Sequence, residues 1–363
     1  MTNGVTTVLT GPGELEQREY PVSDPEVGGV VLQMIRANVC GSEVHILKGH
    51  HPLIQPGCAI GHEGVGRVAR LGEGATTDFA GAPLSEGDRV VATYFAACRR
   101  CPQCNRGDLQ ICGNAYQRWS RPADQAPHFY GTFGTYWSLG RDQYVYKVPD
   151  SVSSKAVSSA NCAISQMVSA THHGQVRRGE KVILLGAGGL GLAGAAMCRE
   201  AGAEVFIAEM APSRLAKAKQ FGAHHTVDLT AAADGPGRVE MLRDLTGGGG
   251  DVVVDLTGVP SAFAEGVRMV RPGGRFVSVG NISPNKLTDF DPGLFTRSGV
   301  TMHAVIRYAP YLLSDSIRFI EATPQYPWED LVDADYELGQ ARAAVQAAED
   351  KKVTRAALVI ADD

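Results

Sequence analysis

Residues 181–191 read KVILLGAGGLG. Lys181–Leu185 is a short β-type run, and the glycines that follow have the spacing GxGxxG before a run of small apolar residues to Ala201 that suits a helix. That strand-before, helix-after context turns a weak motif into a dinucleotide-binding signature. Gly186 makes the tight turn, Gly188 lets the backbone approach a pyrophosphate, and Gly191 allows close helix–strand packing. Gly189 and Leu190 open the helix, whose free N–H groups and positive dipole end favour phosphate. The motif expects an acid about 20 residues on, at the end of the second strand. Glu209 stands there, after Val205-Phe206-Ile207-Ala208. Its carboxylate accepts from a ribose diol and repels a 2′-phosphate, so NAD is expected over NADP. Arg214 is the nearby group that would accommodate such a phosphate. A glycine turn without any ligand is the plain alternative.

Downstream the same alternation continues. AEVFIAE (203–209) precedes a helical Ser213–Phe221, DVVVDLTG (251–258) precedes a helical Ala262–Met269, and GRFVSVG (274–280) follows. Such βαβ alternation predicts a doubly wound parallel sheet. A helical Gly339–Glu349 and a strand-like Arg355–Ile360 close the chain. Upstream, residues 1–155 are short β-runs such as VVLQMI (30–35) and RVVA (89–92), punctuated by Gly, Pro and Asp. The expected class is therefore α/β, a β-rich domain joined to a doubly wound one. The length of 363 residues fits two domains at ~150 residues each.

Composition bounds the function. Glycine is high at 43 residues, and 34 Lys and Arg against 39 Asp and Glu give a net charge of −5. That balance offers no footprint for nucleic acid and no basic block for anionic lipid. The start of the chain lacks the pattern of a secretory leader, and the longest apolar stretch, Val182–Met197, is too short and too glycine-broken to span a bilayer. A cytoplasmic protein is expected.

Eight cysteines fit a reducing compartment, where a cluster reads as a metal site before it reads as disulfides. Cys98, Cys101, Cys104 and Cys112 offer four thiolates from one segment, enough to close a tetrahedral zinc shell with no open position, which is a structural site. Arg99, Arg100 and Arg106 nearby favour thiolate. An iron–sulfur cluster or a redox switch would use the same spacing. Cys40, Cys58, Cys162 and Cys198 read singly as small buried hydrophobes, His62 as a satisfied structural histidine, and His50 and His51 as a solvated loop pair. The aromatics between Tyr116 and Trp137 suit either packing or the wall of an apolar pocket.

The ordered set CGSEVH (40–45), GHE (61–63), GDRV (87–90), the four-cysteine lobe, Cys162, GAGGLG (186–191) and the acid Glu209 resembles the zinc-dependent alcohol dehydrogenases of the medium-chain dehydrogenase/reductase family, from about Gly28 to Arg355. The resemblance implies a GroES-like catalytic domain (1–163 and 307–363, with the zinc lobe at about 95–113) and a Rossmann domain (164–306). It places Cys40, His62 and Cys162 as ligands of a catalytic zinc with one open position, and Glu63 as the acid beside it. Ser42 and His45 fall on its proton relay, and Arg355 on a late arginine that contacts the pyrophosphate. Two zinc ions per chain follow. Two positions depart: Glu43 stands where many relatives carry Asp, and Gln166 where many carry Thr beneath the nicotinamide.

The implied activity is hydride transfer between a primary or secondary alcohol and NAD, with a small-molecule alcohol or carbonyl as partner. A carbonyl reductase of the same fold, or a dinucleotide-binding protein without activity, are the competing expectations. A homodimer or homotetramer through the Rossmann sheet edge is implied, with Gly299–Ile306 supplying the edge strand.

Overall fold

The computed structural model describes residues 2–362. The chain forms two compact units. One comprises Met1–Ser165, Ala309–Pro324 and Trp328–Asp363, and the other Gln166–Tyr308 with Gln325–Pro327.

The second unit carries six parallel strands. Their spatial order is His225–Asp228, Glu204–Glu209, Lys181–Leu185, Gly250–Asp255, Val270–Ser278, Thr301–Ala304. Counted along this unit the order is 3-2-1-4-5-6, the doubly wound Rossmann arrangement. The central strands are near-continuous apolar runs because helices cover both faces. Ile183, Leu185, Phe206, Val253 and Phe276 sit in one core cluster at 0–2% exposure, with Leu242 and Val267 added from the helices. The order reverses between Lys181–Leu185 and Gly250–Asp255, and a crevice for a dinucleotide lies at the carboxyl ends of strands at such a point. Thr301–Ala304 is the outermost strand on one side.

The first unit is β-rich. Its seven-stranded sheet runs Ala334–Glu337, Ala356–Val359, Val30–Asn38, Glu63–Leu71, Arg89–Ala92, Val145–Lys147, with Tyr136–Leu139 paired to Val30–Asn38. An antiparallel hairpin, Asn3–Gly11 with Glu14–Pro21, forms a separate ribbon. The register matters for the site. Asn38 pairs with Glu63 on one side and with Ala357 on the other. Residues opposite one another, and those two apart on a strand, share a face. Glu63, Asn38 and Ala357, with Arg355 two residues before it, therefore lie on one surface of the sheet. Among the described residues no helix is long and apolar enough to cross a membrane.

Candidate functional site

Three segments of the first unit meet at one point. Strand Val30–Asn38 delivers Cys40, which is extended (φ −96°, ψ 166°) and caps the helix Gly41–Leu47. Gly61 turns the chain into strand Glu63–Leu71 at φ +89°, where a Cβ would fall 2.3 Å from Phe133 Cδ1, so only glycine fits before His62. Cys162 lies in a π-helical turn, Ala160–Ile164, whose five residues are all buried. Such turns recur at functional sites because they re-aim side chains.

One ligand-type atom from each of Cys40, His62, Glu63 and Cys162 lies within 4.8 Å of all the others. Cys40 Sγ stands 3.9 Å from Cys162 Sγ, and His62 Nε2 3.4 Å from Cys162 Sγ. His62 is aimed by Glu43, whose Oε1 is 2.6 Å from Nδ1 while Oε2 accepts from the Cys40 N–H at 2.9 Å. The extra methylene of Glu43 thus reaches both elements. Ser42 Oγ is 3.9 Å from Cys40 Sγ, and His45 follows three residues later on the same helix face.

The electrostatics are those of a crowded buried cluster. The hydrogen bond shared with Cys162 holds Cys40 well below the ordinary thiol range, against burial and with help from His62. The same bond and burial push Cys162 well above it. Burial works against charge on His62, and Glu43 with Cys40 more than offsets it. Burial lifts Glu63 to about 7 although Arg355 pulls it down. Arg355 was expected at the pyrophosphate. In the structure it is 4% exposed and its Nη1 pairs with Glu63 Oε2. Its guanidinium is a counter-charge beside the cluster.

The donor set fits a metal. Two thiols and an imidazole are soft and borderline donors suited to zinc, and three protein ligands with room for a fourth is a catalytic pattern. Glu63 Oε1 is buried without a hydrogen-bond partner. Such an orphaned carboxylate oxygen is costly unless a cation or donor shares the space.

Cys98, Cys101, Cys104 and Cys112 form a second group whose sulfurs also lie within 4.8 Å of one another. N–H groups point at them: Cys98 N and Asn114 N donate to Cys112 Sγ, and Asn114 Nδ2 to Cys98 Sγ, each at 3.4 Å. Asn114 brings Cys98 down to about 6, whereas burial takes Cys104 up to about 12. None of the eight cysteines is in a disulfide.

In the second unit, Gly186 adopts φ +103° and its N–H donates to Ala208 at 2.8 Å. A Cβ on Gly191 would fall 2.0 Å from the Gly186 carbonyl oxygen. Gly188 caps the helix Gly189–Glu200, which Leu190 enters. Glu209 closes the loop: Oε2 accepts from Ala187 N at 3.0 Å, Oε1 from Met210 N at 2.7 Å, and Arg214 Nη1 approaches to 3.8 Å.

Sequence reasoning missed the residues that hold the cluster together. Asn161 donates to the carbonyls of His62 at 3.1 Å and Ala92 at 2.9 Å, tying the π-turn to two strands. Asn38 donates to Ser158 and Ser159. A polar amide directly before Cys162 in an apolar run was the one available signal.

Residues 26–150 match the alcohol dehydrogenase GroES-like domain and residues 189–322 the zinc-binding dehydrogenase domain. The chain is 31% identical over 294 residues to the 5-exo-hydroxycamphor dehydrogenase of Pseudomonas putida, covering 77% of this chain and 80% of that protein. It is 32% identical over 282 residues to an alcohol dehydrogenase of Rhizobium meliloti, covering 77% of each. The crystal structure of an alcohol dehydrogenase from Thermotoga maritima superposes with a TM-score of 0.91 at 24% identity, over 99% of this chain and 100% of that one. The chain belongs to the zinc-dependent alcohol dehydrogenases of the medium-chain dehydrogenase/reductase family.

Proposed function

We propose that this chain oxidises a cyclic or otherwise bulky alcohol with NAD, holding its catalytic zinc by Cys40, His62 and Cys162 and a structural zinc by Cys98, Cys101, Cys104 and Cys112. The observation that carries the reading is the convergence of Cys40, His62, Glu63 and Cys162, drawn from three distant segments, to within 4.8 Å. The zinc supplies Lewis acidity that lowers the pKa of a substrate hydroxyl, and the nicotinamide accepts the hydride.

The chain's own residues do the rest. Glu43 fixes His62 so that Nε2 faces the thiols. Ser42 Oγ takes the hydroxyl proton and His45, one turn on, passes it outward, a task suited to an imidazole near neutral pH. Glu63 and Arg355 balance charge beside the two thiolates. Gly186, Gly188, Gly189, Leu190 and Gly191 hold the pyrophosphate, and Glu209 selects the unphosphorylated ribose, with Arg214 as the opposing influence. Thr301–Ala304 is the edge through which copies pair into a dimer or tetramer. Cysteines gathered into metal-ligand sets suit a reducing, cytoplasmic setting. The likeness to a hydroxycamphor dehydrogenase supports a bulky substrate, and direction follows cofactor ratio.

The test is metal content with NADH formation across a panel of primary, secondary and cyclic alcohols. Two zinc ions per chain with turnover, and loss of one ion and of turnover in Cys40→Ala, are expected. Wild-type turnover in Cys40→Ala overturns the reading.

A further inference from the structure

Aromatic rings from three segments line up beside His62. The Tyr94 ring lies 4.8 Å from the His62 ring, and Trp119 lies 5.3 Å from it. Tyr116 packs edge-on to Trp119 at 5.5 Å and nearly parallel to Tyr94 at 6.1 Å. These are ring–ring geometries that a further ring extends favourably. At the far end of the row stands His51, 6.0 Å from both Tyr116 and Trp119.

His51 is not the solvated loop residue its sequence suggests. Its Nδ1 accepts two backbone N–H groups, Leu53 at 3.2 Å and Ile54 at 3.0 Å. A nitrogen that accepts twice carries no proton, so the hydrogen-bond network assigns the proton to Nε2. Burial, with the neighbouring His62 and His45, pushes the ring down to about 4, which keeps it neutral. Nε2 has no hydrogen-bond partner among the described residues. The Trp119 indole N–H is already committed to the Ala59 carbonyl at 3.2 Å. His51 therefore ends an apolar aromatic row with a fixed and unused donor.

We propose that His51 is a specificity-determining residue whose Nε2–H selects alcohols built on a ring that bears a second oxygen acceptor on the side remote from the carbinol. The ring packs on Tyr94, Tyr116 and Trp119, and the remote oxygen accepts from His51. This rests on the reading of Cys40, His62 and Cys162 as the substrate-activating metal site. A site that offers a donor discriminates against the analogue lacking the acceptor, because the donor is left unpaired.

The test uses two probes that differ by one atom: cyclohexylmethanol, and its analogue in which the ring CH2 opposite the carbinol is replaced by oxygen. The holoenzyme with NAD should favour the oxygen analogue by about tenfold in kcat/KM. The preference should fall on KM, because the contact is equal in ground and transition states. His51→Phe should reduce the ratio to near one, and His51→Gln, which retains a donor amide, should restore part of it. An equal kcat/KM for the two probes in the wild type, or a ratio unchanged in His51→Phe, overturns the proposal. Quenching of indole fluorescence, referenced to Trp119→Phe, reads binding apart from turnover. His51-dependent preference in binding without any NADH formation supports His51 as the selector and sinks the dehydrogenase reading instead. Turnover of both probes with no preference does the reverse.

Discussion

The Glu43 carboxylate lies 2.6 Å from His62 Nδ1, and its second oxygen receives the backbone N–H of Cys40 at 2.9 Å. One side chain thus fixes the tautomer of the imidazole and the cap that presents the thiol. Outer partners of this kind typically change metal affinity 10–100-fold when lost. Glu43→Ala is expected to weaken zinc retention by about that factor, read by competition with a chelator, and Glu43→Gln by less. Unchanged competition in Glu43→Ala would remove Glu43 from the metal site.

The four-cysteine lobe carries its own prediction. Its sulfurs already receive three N–H bonds at 3.4 Å from Cys98 and Asn114, the pattern that stabilises thiolates. Cys104→Ser should release one of two zinc equivalents and lower the melting temperature while the Cys40 site keeps its ion. A brown protein with thiolate-to-iron absorption, or two zinc equivalents in Cys104→Ser, contradicts a structural zinc.

The two sites were legible to different degrees for a physical reason. Cys98–Cys112 and KVILLGAGGLG are local, so spacing alone carries their geometry. Cys40, His62 and Cys162 meet through strand register and a π-turn, and only resemblance pointed to them. Asn161 and the Glu63–Arg355 pair join residues far apart in the chain, and nothing in their neighbours' periodicity announces such contacts. His51 shows the opposite failure. A Gly49-His50-His51-Pro52 run reads as exposed loop, yet two downstream N–H groups capture the ring.

Glu209 accepts from Ala187 N and Met210 N, and Arg214 stands 3.8 Å from the same carboxylate. Removing the acid deletes repulsion towards a 2′-phosphate and frees Arg214 to receive it. Glu209→Ser is expected to lower the KM for NADP by about tenfold, equivalent to ~1.4 kcal/mol. Glu209→Ser with Arg214→Ala should lose that gain. An NAD/NADP ratio that does not move in Glu209→Ser shows that another group sets the preference.

His51 also leaves a trace in acid stability. Its folded-state value of about 4 lies below the ordinary 6.5, mainly through burial. Between those values the unfolded chain binds a proton that the native ring refuses, so native stability falls as pH falls through this window. Above 6.5 the contribution is complete. The melting temperature of the wild type relative to His51→Phe should therefore drop progressively between pH 6.5 and about 4. Parallel melting curves across that range would show that the imidazole titrates freely.

Two glycines of the motif separate folding from cofactor binding. A Cβ on Gly191 would lie 2.0 Å from the Gly186 carbonyl, a contact with backbone that cannot rotate away. A Cβ on Gly188 meets nothing within 4 Å. The close helix–strand packing is intrinsic to the fold, whereas the space over Gly188 is useful only to something that approaches the loop from outside. Gly191→Ala should lower the melting temperature by several degrees, a cost of about 1–3 kcal/mol for overpacking. Gly188→Ala should melt as the wild type does and still bind NADH at least tenfold more weakly, because the new methyl occupies the pyrophosphate's place. Calorimetry and NADH fluorescence titration on both variants read the two effects apart. Wild-type NADH affinity in Gly188→Ala would place the phosphates elsewhere.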